Sequence, residues 1–331
     1  MRAGVGTTGG QGVGNVTTKP QPGGSCAGTS GASARSWRTM TRLTIRHETR
    51  YLYERPVGFG LHRLLLRPRD SHATRVVKAS MSLSLPAAKR WVYDALGNCV
   101  CLMTPEGRSQ ELTIVSQLTI ERFPAPLAPL RIDNPHTAMP IVYDRGDRTI
   151  LDPFIDPATD DPTGILLDWV RAQAGGTYEP ALDFLQRLNR YIHQHFNYIP
   201  RDEEGAQTPA FTVTMGSGAC RDFAWLMVEA LRRLGYAARF VTGYLYSPRH
   251  SSVRGAGATH AWCEVFLPDL GWMEFDPTNG LAESAALIPV AVSRTPEQAT
   301  PISGMILGDP GRSELSIHVD VRAADTQMDA A

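Results

Sequence analysis

The sequence predicts an α+β protein in which an N-terminal antiparallel, β-sandwich-like domain precedes a second domain of helices and strands. Two periodicities support this fold class. Apolar and polar side chains alternate over residues 41–122, which is typical of half-buried strands. From residue 165 onward apolar side chains recur every three or four residues, which is typical of helices, and strand-like stretches follow. The length of 331 residues also favours two domains.

Residues 1–39 precede the patterned sequence and differ from it in composition. They contain four basic side chains and no acidic one, and they lack the apolar stretch of a signal peptide. We interpret them as a disordered leader, with a transit peptide as the alternative. Because the alternation begins at MTRLTIRH, Met40 is a candidate for the native start.

The N-terminal β-domain is predicted over residues 40–122. Strands are expected in LTIRHETRYLY, VKASMSLSL and ELTIVSQLTIE, and DALGN (residues 94–98) is expected to be a turn. The second of these strands places five apolar side chains on one face: Val77, Ala79, Met81, Leu83 and Leu85. Several short strands without intervening helices favour an antiparallel sandwich.

A proline-rich segment, residues 123–164, follows the β-domain. Eight of the 24 prolines of the chain lie between residues 123 and 162. Proline lacks an amide donor and disfavours a helical conformation in the residue before it. We therefore expect a connecting segment that runs over the surface.

The second domain, residues 165–292, is predicted to be an α+β core. Helices are expected in ILLDWVRAQ, in ALDFLQRLNRYIHQHF and in the stretch that begins at Cys220, with a polar loop before the last of them. Strands are expected in ARFVTGYLY, HAWCEVFL and GWMEFDPT. A final strand, ELSIHVDV, belongs to the C-terminal strand and tail, residues 293–331.

One cysteine, Cys220, stands at the start of the most strongly helical stretch. It is three residues before Phe223 and so begins the apolar stripe of the helix, which Gly235 is placed to end. Unpaired amides and the helix dipole favour an anion there, so a thiolate is stabilised and the Cys220 amide is placed to help bind an oxyanion. Gly216 and Gly218 allow a tight turn and leave room for a substrate. The alternative is a buried thiol that acts as a small apolar residue.

A catalytic cysteine requires a base, and His260 is the best-placed histidine. It opens the strand HAWCEVFL directly after a glycine-rich loop, where a side chain is half exposed and able to meet a ligand. His193 and His195 lie on a predicted helix, and we interpret them as surface and boundary residues.

A carboxylate is then needed to hold the imidazole in one tautomer, and Asp276 is the candidate on the next strand. A three-residue hairpin connection, Pro268–Leu270, pairs Asp276 with Trp262 and places it on the face of His260. A four-residue connection would turn it away. Glu264 is a rival carboxylate on the same face. The alternative role for Asp276 is to cap backbone amides of a turn.

Two stretches resemble the core of the bacterial transglutaminase-like proteins, members of the papain-like thiol superfamily: GSGACRDFAWLMVEALRRLGYAARFVTGYL and THAWCEVFLPDLGWMEFDPTNG. Cysteine and histidine are 40 residues apart, and histidine and aspartate are 16 apart. RYLYERPV and HRLLLRPR resemble the N-terminal β-region of these proteins, and FNYIP resembles their helix end before the cysteine loop. The resemblance covers residues 41–320 and implies a papain-like, transglutaminase-like α+β core.

The resemblance implies Cys220 as the nucleophile, His260 as the general base and acid, and Asp276 as the residue that orients the histidine. The implied reaction is acyl transfer through a thioester from a glutamine side chain or a peptide bond of a peptide or protein substrate. An amine acceptor would make a crosslinking transferase, and water would make a protease, amidase or deamidase. Tyr198 and Ser217 are candidates for a side-chain oxyanion donor. The alternative function is a protein-binding module without catalysis.

Two residues depart from the pattern of many such proteins. Arg221 stands where many carry glutamine and adds a cation next to the cysteine. Cys263 stands where many carry an aliphatic residue, and we expect it in the core because it points away from the His260 face.

No cofactor, metal, nucleic acid or membrane is expected as a partner. The 33 basic and 33 acidic side chains cancel, and no apolar run reaches the roughly 18 residues of a membrane span. Cys99 and Cys101 share a strand face without the further ligands of a structural zinc site. The acidic stretch Asp202–Glu204 is too short for a calcium loop. Five cysteines argue against a disulfide framework and are typical of the cytoplasm.

Overall fold

The computed structural model of the chain confirms the α+β class. It describes residues 40–123, 141–174, 179–201, 203–247, 253–255, 257–268 and 270–324. The expected leader lies outside the described residues, as does Asp202 of the acidic stretch.

Fourteen strands and five α-helices are present in these ranges, together with a short 3₁₀ helix at Pro296–Ala299. The strands are β1 (Thr41–Leu64), β2 (Thr74–Leu83), β3 (Ala87–Tyr93), β4 (Cys99–Pro105), β5 (Arg108–Arg122), β6 (Asn197–Tyr198), β7 (Ser217–Gly218), β8 (Ala238–Leu245), β9 (His260–Leu267), β10 (Gly271–Asp276), β11 (Leu281–Ala282), β12 (Leu287–Ser293), β13 (Ile302–Leu307) and β14 (Ser313–Ala323). The helices are α1 (Arg145–Ile155), α2 (Ile165–Ala174), α3 (Ala181–His195), α4 (Pro209–Met215) and α5 (Cys220–Arg233). No helix of the described part is long and apolar enough to cross a membrane.

The N-terminal domain is one seven-stranded antiparallel sheet that curls until it is nearly a barrel. Its strand order is β2-β5-β1-β4-β3, and the long strand β1 also pairs with β13 and β14. The predicted C-terminal strand ELSIHVDV lies within β14, and this segment, which was assigned to a strand and tail outside both domains, completes the sheet, with Arg46 opposite Asp320. Strands β1 and β14 lie far apart along the chain, and local patterning therefore did not reveal that they pair.

A β-bulge on β2 shifts one residue of the predicted inward face. The register between β2 and β5 slips between Val76 and Lys78, so that two residues on β2 take the place of one. Val77 is exposed as a result, and Ala79 is exposed too, so the predicted inward position of both is wrong. Met81, Leu83 and Leu85 pack against the core of this domain as predicted. The predicted turn DALGN is confirmed: the Asp94 carboxylate accepts hydrogen bonds from the amides of Leu96 and Asn98, and Gly97 has a φ of 75°.

The second domain is built on an antiparallel sheet with strand order β11-β10-β9-β8-β12. Helix α5 packs against β8 and β9, and its buried apolar side chains share one core with those of α3. The predicted helices at α2, α3 and α5 and the predicted strands at β8, β9 and β10 are all confirmed. Gly235, with a φ of 84°, ends α5 as the glycine signal predicted.

Two helices occupy segments that were expected to lack them. Within the proline-rich segment, α1 begins where the Asp144 side chain accepts a hydrogen bond from the Asp147 amide, and it buries Leu151 and Phe154. The helix continues through Pro153. Within the predicted polar loop, α4 begins at Pro209, the first-turn position that proline favours, and buries Thr212. Capping and burial thus outweigh the local composition.

The two domains share buried contacts. Leu43 and Ile45 of β1 pack in one cluster with Tyr244 of β8 and Ile288 of β12. Asn98 extends the contact, because its side-chain amide donates to the Val292 carbonyl at 2.8 Å and its side-chain oxygen accepts from the Val292 amide at 2.9 Å.

Candidate active site

Cys220 is the first residue of α5, and its thiol is half-buried. The chain enters the helix through Ala219 in an extended conformation, and the amides of Asp222 and Phe223 turn back to the Ala219 carbonyl. The Cys220 amide belongs to the first turn, whose amides have no partner inside the helix. The sulfur and this amide therefore lie together at the positive end of the helix dipole.

Asp222 organises the backbone around the cysteine, a role that the sequence analysis missed. Its buried carboxylate accepts hydrogen bonds from the amides of Ala219 and Gln207, both at 2.7 Å, and pairs with Arg201 at 2.6 Å. An acidic residue in the first turn of a predicted helix is the signal that would have found it. Gly218 serves this arrangement, since a β-carbon there would lie 2.8 Å from Cβ of Asp222. Asp222 thus occupies the space at Gly218. The expectation that Gly218 leaves room for a substrate is therefore wrong.

Tyr198 and Ser217 lie on a two-stranded parallel ribbon that leads to Cys220. Tyr198 of β6 is opposite Gly218, and Ser217 of β7 is opposite Asn197. The ring of Tyr198 packs edge-on against Phe223, with 6.5 Å between ring centroids. Burial, and then the nearby Cys220 sulfur, raise the pKa of the Tyr198 hydroxyl.

The register of β9 and β10 confirms the predicted three-residue connection. Gly271 lies opposite Leu267 and Phe275 lies opposite Cys263. His260 and Asp276 consequently share one face, and Nε2 of His260 donates a hydrogen bond to Oδ2 of Asp276 at 2.9 Å. Both side chains are fully buried, so His260 is less exposed than its position at a loop suggested.

The electrostatics of this pair favour a charged histidine and a charged carboxylate. Burial alone lowers the pKa of His260, but the charge and hydrogen bond of Asp276, together with the Cys220 sulfur, raise it to about 10. Burial alone would raise the pKa of Asp276. The charge of His260 and hydrogen bonds from His260, Asn279 and the Thr278 amide outweigh it and lower that pKa.

Nδ1 of His260 is the ring nitrogen that Asp276 does not contact. It is buried and has no hydrogen-bond partner of ordinary geometry among the described residues, while the Cys220 sulfur is close enough to raise the histidine pKa. Gly255 borders the same space: a methyl group added to it would lie 3.0 Å from Nδ1 and 3.7 Å from the Tyr198 hydroxyl. Cysteine, histidine, tyrosine and the Gly255 backbone therefore surround one small region.

The remaining candidates lie elsewhere or have other partners. Glu264 is paired with Arg239 at 2.6 Å, and Cys263 is buried in the core as expected. Arg221 donates its guanidinium hydrogens to carbonyls of the preceding loop, including those of Gly205 at 2.7 Å and Glu203. The carbonyl oxygens of that loop thus stabilise the positive charge of Arg221.

Cys99 and Cys101 are free, buried thiols on β4, and no group of three metal-ligating side chains is found in the described ranges. His195 is exposed and stacks on Tyr191, as expected for a residue outside the site.

His193 is placed differently from its predicted surface role. Its Nδ1 donates to the Thr278 carbonyl at 2.8 Å and so fixes the turn that follows Asp276. Gly280 lets the turn approach this ring, because a β-carbon there would lie 3.2 Å from Cδ2 of His193. The sequence offers no local signal for this contact, since the two residues are joined only by the tertiary fold.

Comparisons with known proteins agree with this fold. Residues 168–277 match the model of the transglutaminase-like superfamily, and residues 43–121 match that of the bacterial transglutaminase-like N-terminal region. A solved structure from Cytophaga hutchinsonii, described as a "Putative Cysteine Protease", superposes with a TM-score of 0.65 at 18% identity, covering 87% of this chain and 92% of the other. That likeness concerns the fold.

Two curated proteins are similar in sequence. An uncharacterised protein of Mycobacterium leprae is 27% identical over 286 residues, which is 85% of this chain and 99% of the relative. A protein-glutamine gamma-glutamyltransferase of Pseudomonas aeruginosa is 30% identical over 138 residues, but these are only 39% of this chain and 19% of that protein.

The fold and the two matched regions define a papain-like thiol fold with an N-terminal β-region. The chain carries a transglutaminase-like core, preceded by the bacterial transglutaminase-like N-terminal region.

Proposed function

We propose that this protein is a thiol enzyme that transfers or hydrolyses the acyl group of an amide through a thioester on Cys220. The observation that carries the proposal is the orientation of His260: Asp276 holds Nε2, which leaves Nδ1 for the cysteine at the start of the helix, whose side chain contributes to the raised pKa of the histidine. This arrangement suits a nucleophile, a base and a residue that orients the base.

The His260 pKa of about 10 supports a proton on the ring at neutral pH. In the proposed first step, the Cys220 sulfur attacks the amide carbonyl carbon and the carbon–nitrogen bond breaks. The leaving amine takes the proton from Nδ1 of His260, and the acyl group remains on sulfur as a thioester. In the second step, the nitrogen of an amine or the oxygen of water forms a bond to the acyl carbon and gives its proton to His260, and the carbon–sulfur bond breaks to release Cys220 as a thiolate.

The developing negative charge on the carbonyl oxygen needs donors. We assign this role to the Cys220 amide and the Tyr198 hydroxyl, which is protonated at neutral pH as any tyrosine is, and whose pKa burial raises further. Ser217 is the weaker candidate, because the Tyr198 hydroxyl borders the same space at Gly255 as Nδ1 of His260, and no such contact is found for the Ser217 side chain among the described residues.

The substrate we propose is a peptide or protein with an accessible glutamine side chain or peptide bond. Both acceptors, an amine and water, stay within the proposal, in keeping with relatives and neighbours described as a gamma-glutamyltransferase and as a cysteine protease.

The test is to incubate the full chain with glutamine-containing peptides, with and without a primary amine, and to identify products by mass spectrometry. Incorporated amine would show transfer, and deamidated or cleaved peptide would show hydrolysis. Cys220→Ala should lose both products, whereas Cys99→Ala, which removes a buried thiol of β4, should retain them. Turnover by Cys220→Ala would contradict the proposal.

A first measurement needs no substrate. The rate of Cys220 alkylation from acidic to alkaline pH, in wild type and His260→Ala, separates an activated thiolate from an ordinary thiol of pKa about 8.5. Fast labelling near pH 6 that collapses in the variant supports the enzyme. Slow labelling of both proteins would favour a binding module instead.

A further inference from the structure

The turn after Asp276 carries an asparagine that contacts the candidate site from two directions. Nδ2 of Asn279 donates to Oδ2 of Asp276 at 2.9 Å, the same carboxylate oxygen that His260 contacts. The Asn279 backbone amide reaches the other oxygen, Oδ1, at 3.3 Å. Asn279 thereby helps to keep the carboxylate charged and oriented.

The same side chain holds the segment that carries Gly255. Oδ1 of Asn279 accepts a hydrogen bond from the Arg254 amide at 2.8 Å, and Nδ2 also donates to the Arg254 carbonyl at 3.2 Å. Side chain and backbone thus exchange two hydrogen bonds, as two strands of a sheet do. Gly255, the next residue, has a φ of 83° and borders Nδ1 of His260.

Two further contacts hold the chain on either side of Gly255. The Gly257 carbonyl accepts a hydrogen bond from the Val319 amide of β14 at 2.9 Å. The Arg254 guanidinium donates to the His193 carbonyl at 3.4 Å. Asn279 is the residue that links this anchored segment directly to the Asp276 carboxylate.

We infer that Asn279 is a positioning residue that fixes the Asp276 carboxylate and the Gly255 segment together, and so sets the space in which Cys220 and His260 react. This inference rests on the proposed function, because a positioning role requires that the cysteine and histidine form a reactive pair. Asn279 itself acts through these neighbours.

The experiment compares wild type, Asn279→Ala, Asn279→Asp and Asn189→Ala. Asn189 is the matched control: its side-chain amide donates to the Leu281 carbonyl at 2.9 Å, just beyond the same turn, and no hydrogen bond joins it to Asp276 or Arg254 in the described ranges. Asn279→Asp keeps the acceptor for the Arg254 amide and loses both amide hydrogens. It provides a second variant if Asn279→Ala fails to fold.

Two readouts are measured on folded protein: the alkylation rate of Cys220 across pH, and hydrogen exchange of a peptide that contains the Arg254 amide. In Asn279→Ala we expect labelling near pH 6 to fall about tenfold and Arg254 exchange to accelerate about tenfold, the scale of hydrogen bonds to a charged group and of local opening. Asn279→Asp should lose labelling to a similar extent. Asn189→Ala should match wild type in both readouts, even where its melting temperature falls.

Each outcome decides the matter. Fast wild-type labelling with unchanged profiles in both Asn279 variants would overturn this inference and leave the proposed function standing. Equal changes in Asn189→Ala would overturn it too, because a general loss of stability would then explain them. Slow, ordinary labelling of wild-type Cys220 would overturn the proposed function and this inference with it.

Discussion

Nε2 of His260 lies 2.9 Å from Oδ2 of Asp276, and both side chains are shielded from solvent. Burial by itself lowers the pKa of this histidine, but the aspartate charge and the hydrogen bond raise it to about 10. The native protein therefore holds a proton on the ring over a pH range in which an unfolded histidine, with a pKa of 6.5, has lost it.

The free energy of unfolding should fall as the pH rises from about 6.5 to about 10. In this window the native state binds more protons than the unfolded state, so each rise in pH favours unfolding. Urea unfolding of a Cys220→Ser variant at several pH values in this window measures how steeply the free energy of unfolding falls with pH. His260→Gln should remove at least about 1.4 kcal/mol of this decline, the free energy of one pKa unit. Equal slopes in the two proteins would contradict the raised pKa.

Gly255→Ala should lower the Cys220 alkylation rate near pH 6 by at least about tenfold, since the added methyl would lie 3.0 Å from Nδ1 of His260. Gly257→Ala is a matched control, because Gly257 has a similar φ of 88° and a β-carbon there meets no atom within 4 Å. Both variants place an alanine at a positive φ, and they differ in the contacts that the added methyl makes with His260 and the Tyr198 hydroxyl. Equal labelling of the two would show that Gly255 does not border the reactive space.

Asp222→Ala should destabilise the protein by about 3 kcal/mol, because it removes the buried partner of Arg201, leaving it only the exposed Glu203 at 3.4 Å, and leaves two backbone amides without their acceptor. Asp152→Ala, which breaks an exposed pair with Arg148 on α1, should cost at most about 0.5 kcal/mol. Chemical denaturation compares the two. A small loss for Asp222→Ala would mean that the start of α5 does not depend on this carboxylate.

Tyr198→Phe should reduce turnover by about 100-fold and leave Cys220 alkylation nearly unchanged, because an oxyanion donor acts on the acyl reaction and not on the thiol. Ser217→Ala should retain turnover within about twofold. Steady-state kinetics on a peptide that turns over in the assay proposed above provide the comparison. The reverse order of effects would transfer the oxyanion role to Ser217.

Much of the fold was predictable from local pattern. The bounds of α3 and α5 and of β8, β9 and β10 follow periodicity, and the glycine after α5 ends it as expected. Helix α1 was not predictable from composition, because its stability comes from the Asp144 cap and from burial of Phe154. The bulge at Val77 was equally hidden, since it depends on the register with β5.

The amino-acid sequence by itself determined the α+β class and the helix behind Cys220, and it predicted that His260 and Asp276 share one face if three residues connect their strands, which the register confirms. Each depends on side chains within one element or across one short hairpin, where spacing along the chain fixes spacing in space. Tertiary structure alone decided which residues surround that pair. Asn279 meets Arg254, and β14 returns to β1, only after distant segments have packed together, and no periodicity records such contacts.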